Sequence, residues 1–323
     1  MQNSNGAIKK NKEIKKIDMS LVYTALGLVA LIIILSIASP FFLRGENLNN
    51  IFLQMSINGI VAIGMTFVII TGGIDISVGS IVAVAGILYG IIFKELGGNN
   101  ILTLLGTLLC GAVLGSVNGL LISKGKLPAY ITTLGMMQVA RGLSLLLSGS
   151  RPISGYSDTL IWIGGGNILG IATPIWIMVI VYVIAFLILR YTMLGRNLYA
   201  IGGNREASRL SGINIDRVIF AAYVISGLLA GLAAIVLTGR LNTATPQAGE
   251  KYEMDAIASV VIGGASLAGG RGNVIGTFIG ALIISVVRNG MNILNVNTYL
   301  QQILLGAIII GAVFIDAMRG NRE

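Results

Sequence analysis

Few groups able to do chemistry interrupt the apolar runs of this chain. Asp75 lies in "TGGIDISVGS" (71–80), an acid between two long apolar stretches, with Ser77 two residues on. Arg141 lies in "LGMMQVARGLSLLLSG" with Gln138 three residues before it, and Asn58 interrupts the apolar run over 51–71. Asp75 has two readings. After the Gly72–Gly73 break it can cap the next helix, accepting a bond from the Ser77 or Val78 amide where its charge suits the helix's positive end. It can equally line a water-filled path and touch a solute or coupling ion, since intramembrane acids are functional candidates by default. Arg141 must face protein or water, as partner of a structural group or of a ligand. Asn58 and Gln138 read either as helix glue or as path lining.

Membrane helices are what must position these groups. Hydrophobic residues make up 55% of the 323 and charged residues only 11%, against roughly 25% charged in soluble domains. The 44 glycines follow no tripeptide period and fit close helix contacts. About ten segments approach the ~20 apolar residues that a span needs: 20–38, 51–71, 76–93, 101–122, 129–148, 173–190, 217–238, 255–268, 274–290 and 298–316. The eighth is short and broken by glycine.

Placing the N-terminus inside puts most of the 22 Lys and Arg on the cytoplasmic side, as the positive-inside tendency requires. The expected fold is therefore an all-α polytopic bundle of about ten helices with both termini cytoplasmic. A basic tail at 1–18 precedes a single transmembrane domain at 19–323, with a long inner loop at 190–216. The tail suits anionic lipid. Topology accounts for the net charge of +9 and leaves no call for a nucleic-acid partner.

Other chemistries lack their parts. There is no histidine and one cysteine, Cys110, which excludes disulfides and His-bearing metal sites; no catalytic residue, metal or cofactor is expected. "GLLISKGK" (119–126) misses a phosphate-binding loop, because five residues separate its glycines and Leu127 stands where Ser or Thr is required. A weak repeat relates "VIITGGIDISVGSIVAVAG" (68–86) to "VVIGGASLAGGRGNVIGTFIG" (260–280), and duplicated halves commonly surround a transport path. The inner loop reads "LGRNLYAIGGNREASRLSGINIDRV" (194–218). There Asn204 is a good N-cap, 205–211 permits a two-turn helix and Gly212 can end it. That is either an ordinary basic loop or a rigid helix for docking a partner.

Taken with "NNIFLQMSINGIVAIGMTFVIITGGIDISVGS" (49–80) and "YEMDAIASVVIGGASLAGGRGNVIGTFIGALI" (252–283), the inner-loop motif resembles the permease subunits of bacterial ATP-binding-cassette importers for monosaccharides, most closely the ribose type. The resemblance runs from about Leu35 to the C-terminus. It implies a second permease subunit, in a homodimer or a close heterodimer, a cytoplasmic ATPase on a separate chain, an extracytoplasmic sugar-binding protein, and residence in the bacterial cytoplasmic (inner) membrane. It also implies that Gly203, Asn204, Arg205, Glu206, Ser208, Ser211 and Gly212 form the coupling helix. The alternative is an ion-coupled secondary transporter of a small polar solute using Asp75.

Overall fold

A computed structural model describes residues 19–320, and the basic tail at 1–18 lies outside the described residues. In chain order the helices are α1 (Met19–Ala38), α2 (Gly45–Ile70), α3 (Val78–Glu95), α4 (Asn100–Ser123), α5 (Ala129–Ser148), α6 (Asp158–Gly165), α7 (Thr173–Tyr191), α8 (Met193–Gly203), α9 (Arg205–Leu210), α10 (Ile215–Leu241), α11 (Tyr252–Ile262), α12 (Val274–Ile293) and α13 (Thr298–Gly320). Two-residue strands pair antiparallel: β1 (Ile153–Ser154) with β4 (Thr243–Ala244), and β2 (Asn167–Ile168) with β3 (Ile171–Ala172). These strands and α6 lie at one end of the bundle, the one expected from the charge distribution to be outer; α8 and α9 lie at the other, expected to be inner.

Helix α2 is apolar all round and buried throughout from Met55 to Ile70, as expected of a helix enclosed by others. Helix α10 packs beside it and crosses α4 closely, Gly111, Gly115 and Gly119 meeting the α10 backbone around Phe220, Tyr223 and Gly227. Without side chains at these positions two backbones can touch, and dispersion acts over the whole crossing. Helices α1 and α13 sit at the periphery with almost none of their described side chains buried.

Among the described residues eight helices are long and apolar enough to cross a membrane, so the expected count of ten is not reached on length and composition. The two that fall short have identifiable reasons. Helix α5 has the length, 20 residues, but is diluted by Gln138 and Arg141. Helix α11 has 11 residues, or about 16 Å at 1.5 Å per residue, half of a ~30 Å hydrocarbon core.

The repeat has a structural counterpart in how two helices end. After α2 the Gly73 amide donates to the Val68 carbonyl (3.2 Å), and after α11 the Ala265 amide donates to the Val260 carbonyl (3.1 Å). Each reversal turns on a glycine in the left-handed region, Gly72 (φ 79°) and Gly264 (φ 92°), where only glycine avoids a Cβ penalty.

Candidate functional site

Asp75 lies in the non-helical segment between α2 and α3 and is fully buried. The N-cap of α3 is Ser77 rather than Asp75, which corrects the capping position by two residues. The bond expected of the carboxylate is present even so. Asp75 Oδ1 accepts from the Ser77 amide (3.1 Å) and the Ser77 hydroxyl (2.6 Å), while Oδ2 accepts from Ser226 Oγ (2.9 Å) on α10. Asn118 Nδ2 on α4 donates to Ser77 Oγ (2.8 Å). Ser226 is ten residues along α10 from Asp216, whose ion pair with Lys126 (2.6 Å) stands exposed at the inner end, so Asp75 sits about 15 Å into the bundle.

Arg141 reaches a comparable depth, twelve residues or about 18 Å along α5 from Ala129. Its Nη1 donates to the carbonyls of Pro246 (2.6 Å) and Ala248 (3.0 Å), and Glu250 and Glu253 are close enough to act on it electrostatically. These carbonyls belong to the connection from β4 to α11, which re-enters the bundle. Ala244 lies beside Gly86 of α3, whereas Gly249 packs against Gly79. Seven residues of helix separate those levels, so the segment descends about 10 Å alongside α3. It ends at the N-terminus of the half-length α11, where Asp255 accepts both 2.6 Å bonds from Arg288 Nη2 on α12. A non-helical segment before α3, a half-length α11 and irregular backbone inside the bundle are the features that surround solute paths in transporters.

At the inner end Asn204 caps α9, its Oδ1 accepting from the Ala207 amide (2.9 Å), and Gly212 (φ 81°) follows the helix. Ser208 is buried, with its hydroxyl on the Asn204 carbonyl (2.8 Å). The Ser211 hydroxyl bonds the Ala207 carbonyl (2.9 Å), and Arg209 pairs with Glu206 (2.8 Å) in the open. Ahead of α9 lies a second helix, α8, within the segment expected from the sequence to be loop. Its Gly202 fits against the Ile70 carbonyl of α2 and the Gly270 amide of the loop after α11. The Gly270 amide bonds the Ile70 carbonyl (2.9 Å), and Tyr199 Oη on α8 donates to the Gly272 carbonyl (2.7 Å). The inner loop thus touches the ends of both related turns at one junction. Beside it a cavity of about 270 Å³ is bounded by Gly72, Gly73, Lys126, Arg205 and Tyr223.

Of the residues singled out in the sequence, the structure joins Asp75 to Ser77 and groups 203–212 on and around α9. Gln138 and Arg141 share α5 but neither bonds Asp75, and Asn58 is buried in α2 apart from both networks. Asn118, Ser226, Gly202, Gly270 and the 245–251 segment were not singled out from the sequence. Gly202, next to Gly203 in the inner-loop motif, and Gly270, within the 260–280 repeat, stood in motifs already noted; the others carried no such signal.

Residues 47–313 match the family model described as "Branched-chain amino acid transport system / permease component". The chain belongs to this permease family. It is 45% identical over 296 residues to the ribose import permease protein RbsC of Escherichia coli K12, covering 90% of this chain and 92% of that one. To the protein of the same name from Bacillus subtilis it is 47% identical over 294 residues, 90% and 91% of the two chains. The D-allose transport system permease protein AlsC of E. coli is 37% identical over 283 residues, 88% and 87%. No solved structure matches the chain. The chain is accordingly a multi-pass transport subunit of the bacterial cytoplasmic membrane.

Proposed function

We propose that this chain is the permease subunit of an ATP-binding-cassette importer and carries a monosaccharide, ribose, across the membrane. The observation that carries this reading is the 45–47% identity, over nine tenths of each chain, to proteins named as ribose import permeases, against 37% to a D-allose permease. The working unit is a homodimer served by a cytoplasmic ATPase on a separate chain and an extracytoplasmic sugar-binding protein. Helices α8 and α9 face the cytoplasm. There α9 receives the ATPase, and the Gly202 contact passes its movement to the α2–α3 and α11–α12 turns together. Asp75 serves to hold the unwound segment before α3, binding its Ser77 amide and tying it to α10.

The competing ion-coupled reading needs a carboxylate open to water, and three protein donors occupy the two oxygens of Asp75. The test is ribose uptake in vesicles holding the permease, its ATPase and its binding protein. Uptake that persists in a protonophore at constant ATP and stops when ATP is depleted supports the importer. Uptake that stops with the protonophore overturns it.

A further inference from the structure

Exposure at membrane depth divides the helices into two kinds. The open face of α7 is built from Val179, Ile180, Val183, Ile184, Phe186 and Leu187, all large apolar residues suited to lipid. The open face of α5 differs in its middle. Between exposed Ile131 and Leu146 it presents Gly135, Gln138 and Gly142, at the i, i+3, i+7 spacing of one helix face, with Leu134 and Val139 exposed beside them. A Cβ at either glycine would meet nothing within 4 Å, so Gln138 stands between two gaps. The re-entrant segment is bonded to the same helix through Arg141, and on it Gln247 and Glu250 are exposed. Open amides and a carboxylate at this depth are costly against hydrocarbon and at ease in water.

We propose that Gln138, Gln247 and Glu250 form a solute-facing wall of the path and bind an uncharged, polyhydroxylated solute, with Arg141 as the residue that positions the re-entrant segment. The solute class rests on the importer reading above; the wall does not. Amide groups donate and accept, and a carboxylate accepts, so together they satisfy hydroxyls of either orientation. The charges around the wall balance, Arg141 and Lys251 against Glu250 and Glu253. A balanced wall attracts neither anions nor cations strongly, which suits a neutral solute.

Cys110 is the chain's one cysteine, which makes the test clean. In a Cys110→Ser background, single Gln138→Cys, Gln247→Cys and Ile180→Cys variants of the assembled importer are exposed in vesicles to a charged methanethiosulfonate reagent. Thiolate forms where water reaches, so the first two should react on the order of tenfold faster than Ile180→Cys; equal rates overturn the wall. Adding Arg141→Ala should change the Gln247→Cys rate several-fold and leave the Gln138→Cys rate alone. No change in either removes the positioning role. Joint Gln138→Leu and Gln247→Leu substitution should cut ribose moved per ATP by about tenfold while ATP hydrolysis persists, and an unchanged ratio overturns the solute contact. Fast labelling in an importer that moves leucine but not ribose would keep the wall and overturn the polyol assignment.

Discussion

Gly202 and Gly203 are neighbours in sequence with opposite expected sensitivities. A methyl group on Gly202 would overlap the Ile70 carbonyl oxygen and the Gly270 amide nitrogen and lie 3.0 Å from Gly270 Cα. All of these are backbone, which cannot rotate aside as a side chain can. Overpacking of this kind costs ~1–3 kcal/mol, and parting the loop from α2 also removes the Gly270–Ile70 hydrogen bond, worth about 1 kcal/mol. Gly202→Ala should therefore destabilise by roughly 2–4 kcal/mol, lowering the unfolding midpoint by about 5 °C or more. Nothing lies within 4 Å of a Cβ on Gly203, and its φ is not in the left-handed region, so Gly203→Ala should leave the midpoint unchanged within about 1 °C. The assays are thermal unfolding of the purified subunit in detergent and ribose-stimulated ATP hydrolysis by the assembled importer. On the proposed coupling route through this junction, Gly202→Ala should also weaken that stimulation. Equal midpoints and equal stimulation in the two variants would refute the junction as a close mechanical contact.

The remaining expectations are separate from that one. Asp75→Asn should retain most uptake and stability, since its amide oxygen still accepts from Ser77 and its nitrogen can donate to Ser226 Oγ. Asp75→Leu, leaving buried donors unpaired, should cost about 2–4 kcal/mol in denaturation assays; a stable Asp75→Asn protein without transport would return Asp75 to the path. Asp255→Ala strands Arg288 and should destabilise by about 3 kcal/mol, whereas Asp255→Leu with Arg288→Met should recover much of the loss, as detergent melting would register. Glu206→Arg removes only an exposed pair, so the fold should change by less than about 1 kcal/mol, while ATPase stimulation falls if α9 is the docking helix. Unaltered stimulation would remove Glu206 from that contact.

Composition and pattern determined the class of this protein, because a bilayer admits only backbone that satisfies its own hydrogen bonds and long apolar runs therefore have one use. Local chemistry also determined α9, since Asn204 and Gly212 act within one or two turns of where they stand. The paired Gly72 and Gly264 turns were legible as a repeat for the same reason. Depth and partnership were not legible. Ser226 lies 151 residues from Asp75, and nothing in either neighbourhood announces the bond. The connection at 245–251 reads as an ordinary outer loop until Gly79 and Gly249 are seen in contact. Helix α8 was hidden by its shortness and its three glycines, which are poor helix formers, and Gly202 by its resemblance to forty-three other glycines. What distinguishes it is a backbone from another part of the chain lying where its side chain would be, and only the tertiary structure decides which glycines are so placed.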